Sequence, residues 1–185
     1  MTFTPDLSKT KARTWWVLKW ITNAWVNLGF CDEPTCVREL KLEDIKVPGQ
    51  MGDQVMGKRI MGVKATLTLK LREITLANRA LNYPWFAGVV ATNPIPLMPA
   101  AVGGDLYSYA AKYRFHPMDL PDEAVGEVPY DRSQDILLLA AVVTSKDEAR
   151  SDGKESYIPL ELEAMPDRTK LPNLVLGYIG EEPQA

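Results

Sequence analysis

The octet Gly52-Asp53-Gln54-Val55-Met56-Gly57-Lys58-Arg59 follows the phosphate-cradling pattern GxxxxGK[ST] up to its last position. That position is Arg59, so the hydroxyl that would hold Mg²⁺ is missing. The residues after it alternate like a strand where the pattern needs a helix N-terminus, and a turn leading into a strand accounts for the octet better than a nucleotide site. His116 is the only histidine, and no G-x-S-x-G elbow accompanies it, so a Ser-His-Asp or Cys-His centre cannot be completed around it. Its neighbours Phe115 and Pro117 place it at a strand end, where a surface or loop position is expected. Zinc would need Cys31, Cys36, His116 and a carboxylate to converge; two cysteines facing each other across a hairpin, free or oxidised, is the simpler expectation. Asp119, Asp122, Glu123, Glu127, Asp131 and Asp135 read as a solvated acidic loop. Trp15, Trp16, Trp20 and Trp25 are accompanied by one basic residue, Lys19, which favours core or subunit packing over a membrane-interface helix. No nucleophile, base and stabiliser can be assembled from this inventory. Catalysis, a cofactor and a metal are therefore not expected.

What the chain must build is constrained by its totals. At 185 residues with 46% hydrophobic content it suffices for one core, so a single domain over 1–185 is expected. The net charge of −3 leaves little for counterion-release binding, which argues against a protein that grips DNA. Residues 1–13 lack the apolar core of a secretory signal and read as a flexible arm, and no apolar run approaches the ~20 residues of a membrane span.

The strongest periodicity runs from Ile60 to Glu73, where Met61, Val63, Ala65, Leu67, Leu69 and Leu71 alternate with a basic, Thr-rich face that includes Lys64, Thr66, Thr68, Lys70 and Arg72. This is a strand far longer than the usual five or six residues, and no ordinary sandwich covers all of it. Thr75 as N-cap predicts a short helix over 76–83, ended by Pro84. Further strands are expected at Asp105–Phe115, Ile136–Thr144, Tyr157–Ala164 and Leu174–Ile179, with an acidic surface loop between His116 and Asp135. Asp32-Glu33-Pro34-Thr35 looks like the loop of a hairpin joining 27–31 to 36–42. The Trp-rich start fits helix and strand equally.

Three sets of residues resemble the major tail (tail tube) proteins of long-tailed bacteriophages. The first is Ala24-Trp25-Val26-Asn27-Leu28-Gly29-Phe30. The second runs from Asp44-Ile45-Lys46 through Gly49-Gln50-Met51-Gly52-Asp53 and Lys58-Arg59-Ile60-Met61-Gly62 to Glu73-Ile74-Thr75-Leu76-Ala77-Asn78. The third joins Asp131-Arg132-Ser133-Gln134-Asp135 to Tyr157-Ile158-Pro159-Leu160, Ala164-Met165-Pro166-Asp167 and Gly177-Tyr178-Ile179-Gly180. The resemblance implies a mainly β fold, a sandwich or barrel with one long amphipathic hairpin and a short flanking helix. It also implies hexameric rings of this chain stacked into a tube in the virion tail, assembled in the host cytoplasm. Tape-measure, tail terminator and baseplate hub proteins would be its partners, DNA would pass without specific binding, and no membrane would be involved. A mobile loop at 46–59 would carry the ring-to-ring contact through Gly49, Gln50, Met51, Gly52, Asp53, Met56, Lys58 and Arg59. Lys64, Thr66, Thr68, Lys70 and Arg72 are the channel-forming candidates, with the face that lines the channel left open. Rival expectations are another ring protein of the tail or injection machinery (distal tail ring, terminator, secretion tube), or a barrel binding a small ligand between Tyr107, Tyr109, Tyr113 and the N-terminal tryptophans.

Overall fold

The computed structural model describes residues 14–32, 34–46, 55–83, 104–121, 131–145, 150–151, 156–170 and 175–183. It is mainly β, as expected: β1 (Trp15–Ile21), β2 (Ala24–Cys31), β3 (Thr35–Lys46), β4 (Val55–Leu71), α1 (Leu76–Ala80), β5 (Ala111–Pro117), β6 (Ile136–Val143), β7 (Arg150–Ser151), β8 (Ser156–Ala164) and β9 (Gly177–Ile179).

The pairing order β4-β2-β1-β5-β6-β8 returns to β4 through a β4–β8 ladder, so six antiparallel strands close a barrel. Closure removes the open edges that an amphipathic sheet of this size would otherwise expose. Alternation decides what fills it: Leu67, Leu69 and Leu71 of β4 meet Val17, Phe115, Leu138, Ile158, Leu160 and Leu162 in the interior. Between β2 and β4 the seam is narrow, with Cys31 opposite Leu71 and the Arg72 amide donating to the Phe30 carbonyl at 3.0 Å.

The Trp-rich segment resolves as a hairpin, β1–β2, turning at Thr22 and Asn23 with φ of 49° and 65°. Positive φ at both central residues is the two-residue turn whose twist matches that of paired strands. Trp15 enters the core, and Trp20 and Trp25 meet edge to face at 5.1 Å beside the turn.

Three expectations are corrected. No hairpin forms at Asp32–Thr35. Cys31 faces Leu71 and Thr35 faces Thr68, so β3 follows β2 along the same edge of β4 instead of folding back onto β2. The two cysteines are therefore neighbours along one edge rather than partners across a turn; both are free, Cys31 buried and Cys36 exposed. The strand expected at Asp105–Phe115 begins only at Ala111, because the Asp105 side chain accepts from the Tyr107 amide at 3.0 Å and caps a 3₁₀ turn over Leu106–Tyr109. The expected helix is the single turn Leu76–Ala80, capped by Thr75.

Candidate assembly surface

β3 and β4 are the long hairpin, and only part of it belongs to the barrel. β4 pairs with β8 over Ala65–Leu71, whereas its pairing with β3 extends to Val55. The stretch Val55–Lys64 and its partner β3 thus leave the barrel as a two-stranded arm. Among the described residues, neither its β3 edge nor the β4 edge over 55–64 has a strand beside it.

Register sorts the arm into two faces. In-register pairs share a face, so the core side of Leu67 and Ala65 continues outward through Leu40 opposite Val63 and Leu42 opposite Ile60, with Met61 the extra residue of a bulge. This side also takes Arg38 opposite Ala65 and Asp44 opposite Lys58. Its aliphatic side chains lie in the open: Leu40 is 48%, Leu42 49%, Ile60 62% and Val63 45% exposed. The opposite face continues the outside of the barrel. It carries Glu39 opposite Lys64, Glu43 opposite Arg59, Val37 opposite Thr66, Ile45 opposite Gly57, and Thr68, and it runs on to Lys70 and to Glu161 and Glu163 of β8.

That face is not the basic surface its own strand suggests. Its cations are Lys41, Arg59, Lys64, Lys70 and Arg72; its anions are Asp32, Glu39, Glu43, Glu161 and Glu163, so the formal charges cancel. Lys64 Nζ lies 3.4 Å from Glu163 Oε1, Arg72 donates to Asp32 through Nε at 3.3 Å and Nη2 at 2.5 Å, and Lys70 stands 4.9 Å from the Tyr157 ring centroid. Each exposed pair adds under about 1 kcal/mol to stability. Their larger effect is on the field the face presents. The carboxylates come from β3, from β8 and from Asp32 just after β2, and β4 alone gave no sign of them.

Of the residues expected in the ring contact, Gly49, Gln50, Met51, Gly52 and Asp53 lie outside the described residues. Met56, Lys58 and Arg59 belong to β4 rather than to a loop over 46–59. Lys58 faces Asp44 with 4.0 Å between charges, and Gly57 faces Ile45. The GxxxxGK-like octet therefore ends inside a strand, and no helix N-terminus follows it to cradle a phosphate. Lys64, Thr66, Thr68 and Lys70 share one face as expected, and Arg72 follows just beyond the strand on the same side.

A second cluster went unrecognised in the sequence. His116, expected at the surface, is fully buried, and so is Asp135 of the supposed solvated loop. His116 Nδ1 is 2.6 Å from Asp135 Oδ1, its Nε2 is 3.0 Å from the Leu120 carbonyl, and Arg114 Nε lies 3.8 Å from Asp135 Oδ2. Pairing β5 with β6 brings these groups together on the outer face of the barrel, and the Asp135 carbonyl also accepts from the Gly180 amide at 2.8 Å. Both imidazole nitrogens are engaged within the protein, so the ring has no atom to offer a substrate, and the cluster is a structural tie. Nor do the tyrosines converge on one cavity: Tyr113 is in the packed core, while the Tyr107 hydroxyl accepts from the Arg168 amide at 3.1 Å on the surface.

Two of the recognised sequence segments meet in space. Asn78 of α1 donates to the Leu28 carbonyl at 2.7 Å and to the Glu73 carbonyl at 2.9 Å. Gly29 has φ of 109°, and a Cβ there would come within 2.5 Å of the Glu73 side chain. The glycine is therefore required by backbone conformation and by space.

No family model matches the chain, and no curated protein matches it. Among solved structures, a similar chain is from the "Tail of empty GTA particle computed with helical refinement, C6 symmetry", at 10% sequence identity and a TM-score of 0.44, covering 80% of this chain and 89% of that one. A likeness that distant assigns neither partners nor residue roles.

Proposed function

We propose that this chain is a structural virion protein of a phage tail, forming hexameric rings that stack as the tail tube and enclose the channel for DNA delivery. The observation that carries this reading is the arm: a closed barrel extends a ribbon whose two edges have no strand beside them among the described residues and one of whose faces is exposed and mainly apolar. Open edges of this length are normally shielded, because they template pairing with other chains. The β4 edge of one copy against the β3 edge of the next satisfies both, and six arms side by side leave no edge at all. The sequence resemblance to major tail proteins supports the same reading, with tape-measure, terminator and hub proteins as partners.

Negative-stain electron microscopy with light scattering over a concentration series tests it. Stacked rings or tubes with a central channel are expected. A chain that stays monomeric at every concentration and salt condition overturns the proposal, and a single non-stacking ring would point instead to a terminator or distal tail ring.

A further inference from the structure

Leu40, Leu42, Ile60 and Val63 lie on the face that, within the barrel, points into the core. On the arm, these side chains are left 45–62% exposed. The other face is mainly polar, with Val37 and Ile45 among its charges, and those charges cancel; the apolar face holds fewer charged groups, Arg38 and the Lys58–Asp44 pair. Pairing β4 of one copy with β3 of the next keeps every arm the same way up, so all apolar faces fall on one side of the resulting wall. In a closed wall one side meets the water of the bore and the other meets protein. Turning the apolar side to the bore would line a wet channel with exposed aliphatic groups and press Lys41, Lys64, Arg59, Glu39 and Glu43 into protein, where stripping water from charges is costly; the opposite orientation seats there only Arg38 and the paired Lys58 and Asp44.

Resting on the assembly proposed above, we infer that the arm turns its charged face to the bore and seats its apolar face against other copies of this chain, so that the channel wall carries no net charge. Because that face runs on without interruption onto the barrel, Lys70, Glu161 and Glu163 belong to the same wall. Nonspecific grip on duplex DNA comes from net cations that release its counterions. A wall of interleaved, mutually neutralising lysines and glutamates supplies none, and it also lacks the long-range repulsion of an acidic surface. The polyanion passes without being held or excluded.

The native thiol at position 36 reports on this directly. Cys36 lies opposite Leu67 on the apolar side and is exposed in the free subunit, whereas Thr68 is exposed on the charged side. In wild-type tubes, labelling of Cys36 by a small maleimide should slow about tenfold or more relative to free subunits, as burial removes access to the thiol. In a Cys36→Ser background, Thr68→Cys should keep reacting with the small reagent inside tubes but resist a maleimide on a polymer too bulky to enter the bore. The single Cys36→Ser chain controls for assembly. Tubes in which Cys36 reacts as fast as in subunits while Thr68→Cys is silent to the small reagent overturn the inference and leave the tail reading intact. A Thr68→Cys chain that folds but does not assemble also counts against it, since a water-facing position accepts a thiol. Absence of wild-type assembly overturns the functional reading together with this one.

Discussion

His116 meets acceptors at both ring nitrogens, the Asp135 carboxylate and the Leu120 carbonyl. A carbonyl cannot donate, so Nε2 carries a proton, and Nδ1 and the carboxyl share another. Deleting the carboxylate takes one partner from the buried imidazole and from the buried Arg114, and loss of one partner of a buried polar pair costs far more than the intact pair contributes. Asp135→Ala should lower unfolding free energy by about 3 kcal/mol in urea titration; a cost below about 1 kcal/mol would show that water reaches the site. Cys31 makes a prediction of its own. Burial, with Asp32 adding to it, holds its thiol up at about 12 against an ordinary 9.0. Above pH 9 the unfolded chain releases this proton while the native chain keeps it, so stability falls as pH rises from 9 toward 12, by at most about 1.4 kcal/mol per pH unit. Comparing urea midpoints at pH 8 and 10.5 should show a steeper loss in wild type than in Cys31→Ala. Neither residue betrayed its surroundings in the sequence: Asp135 lies 19 positions from His116, and only strand pairing brings them together.

Elements that alternate cleanly were the legible ones. β8 and the Ile60–Leu71 part of β4 lie where alternation put them, because a strand with one face in a core has no other way to bury it, and β6, read from its unbroken apolar run, is buried almost throughout. The misread stretches are those where a side chain bonds to the backbone or a strand follows on along one edge instead of reversing: Asp105 diverts its segment into a 3₁₀ turn, and β3 follows β2 along β4. The arm's polar face was half legible, since the cations alternate along β4, whereas the pairing that sets the carboxylates of β3 and β8 beside them is not written in any one segment. Two predictions belong at this scale. A helix of one turn has no stability of its own, so α1 depends on Thr75 and on the bonds from Asn78 to β2. Asn78→Ala strands two carbonyls and should cost about 2 kcal/mol, with faster amide exchange at Arg79 and Leu81; unchanged exchange there would assign the hold on α1 to packing. In the β1–β2 turn, a β-branched residue at φ 49° is strained. Thr22→Asn should therefore stabilise the protein by up to about 1 kcal/mol, a rise of about 2–4 °C in Tm. A fall in Tm would mean that Thr22 makes contacts that outweigh its backbone.

At the scale of the whole molecule, stability and assembly draw on different residues of the same strand. Leu67, Leu69 and Leu71 hold the barrel, while Ile60 and Val63, on the same β4, are left in water by the free subunit. Substitution at exposed positions usually changes stability by no more than about 0.5 kcal/mol. The double change Leu42→Lys with Ile60→Lys should accordingly leave the thermal transition within a few degrees of wild type. It should nevertheless abolish tubes in electron micrographs, because it places two charges where copies must pack and cannot hydrate them. Salt gives the complementary test. With a net charge of −3 per chain, subunits repel one another weakly, and screening at about 0.5 M salt should favour wild-type assembly or leave it unchanged, since burial of apolar surface is not weakened by salt. If assembly instead dissolves as salt rises while the double variant still builds tubes, the copies are held by ion pairs and the arm's apolar face is not what joins them.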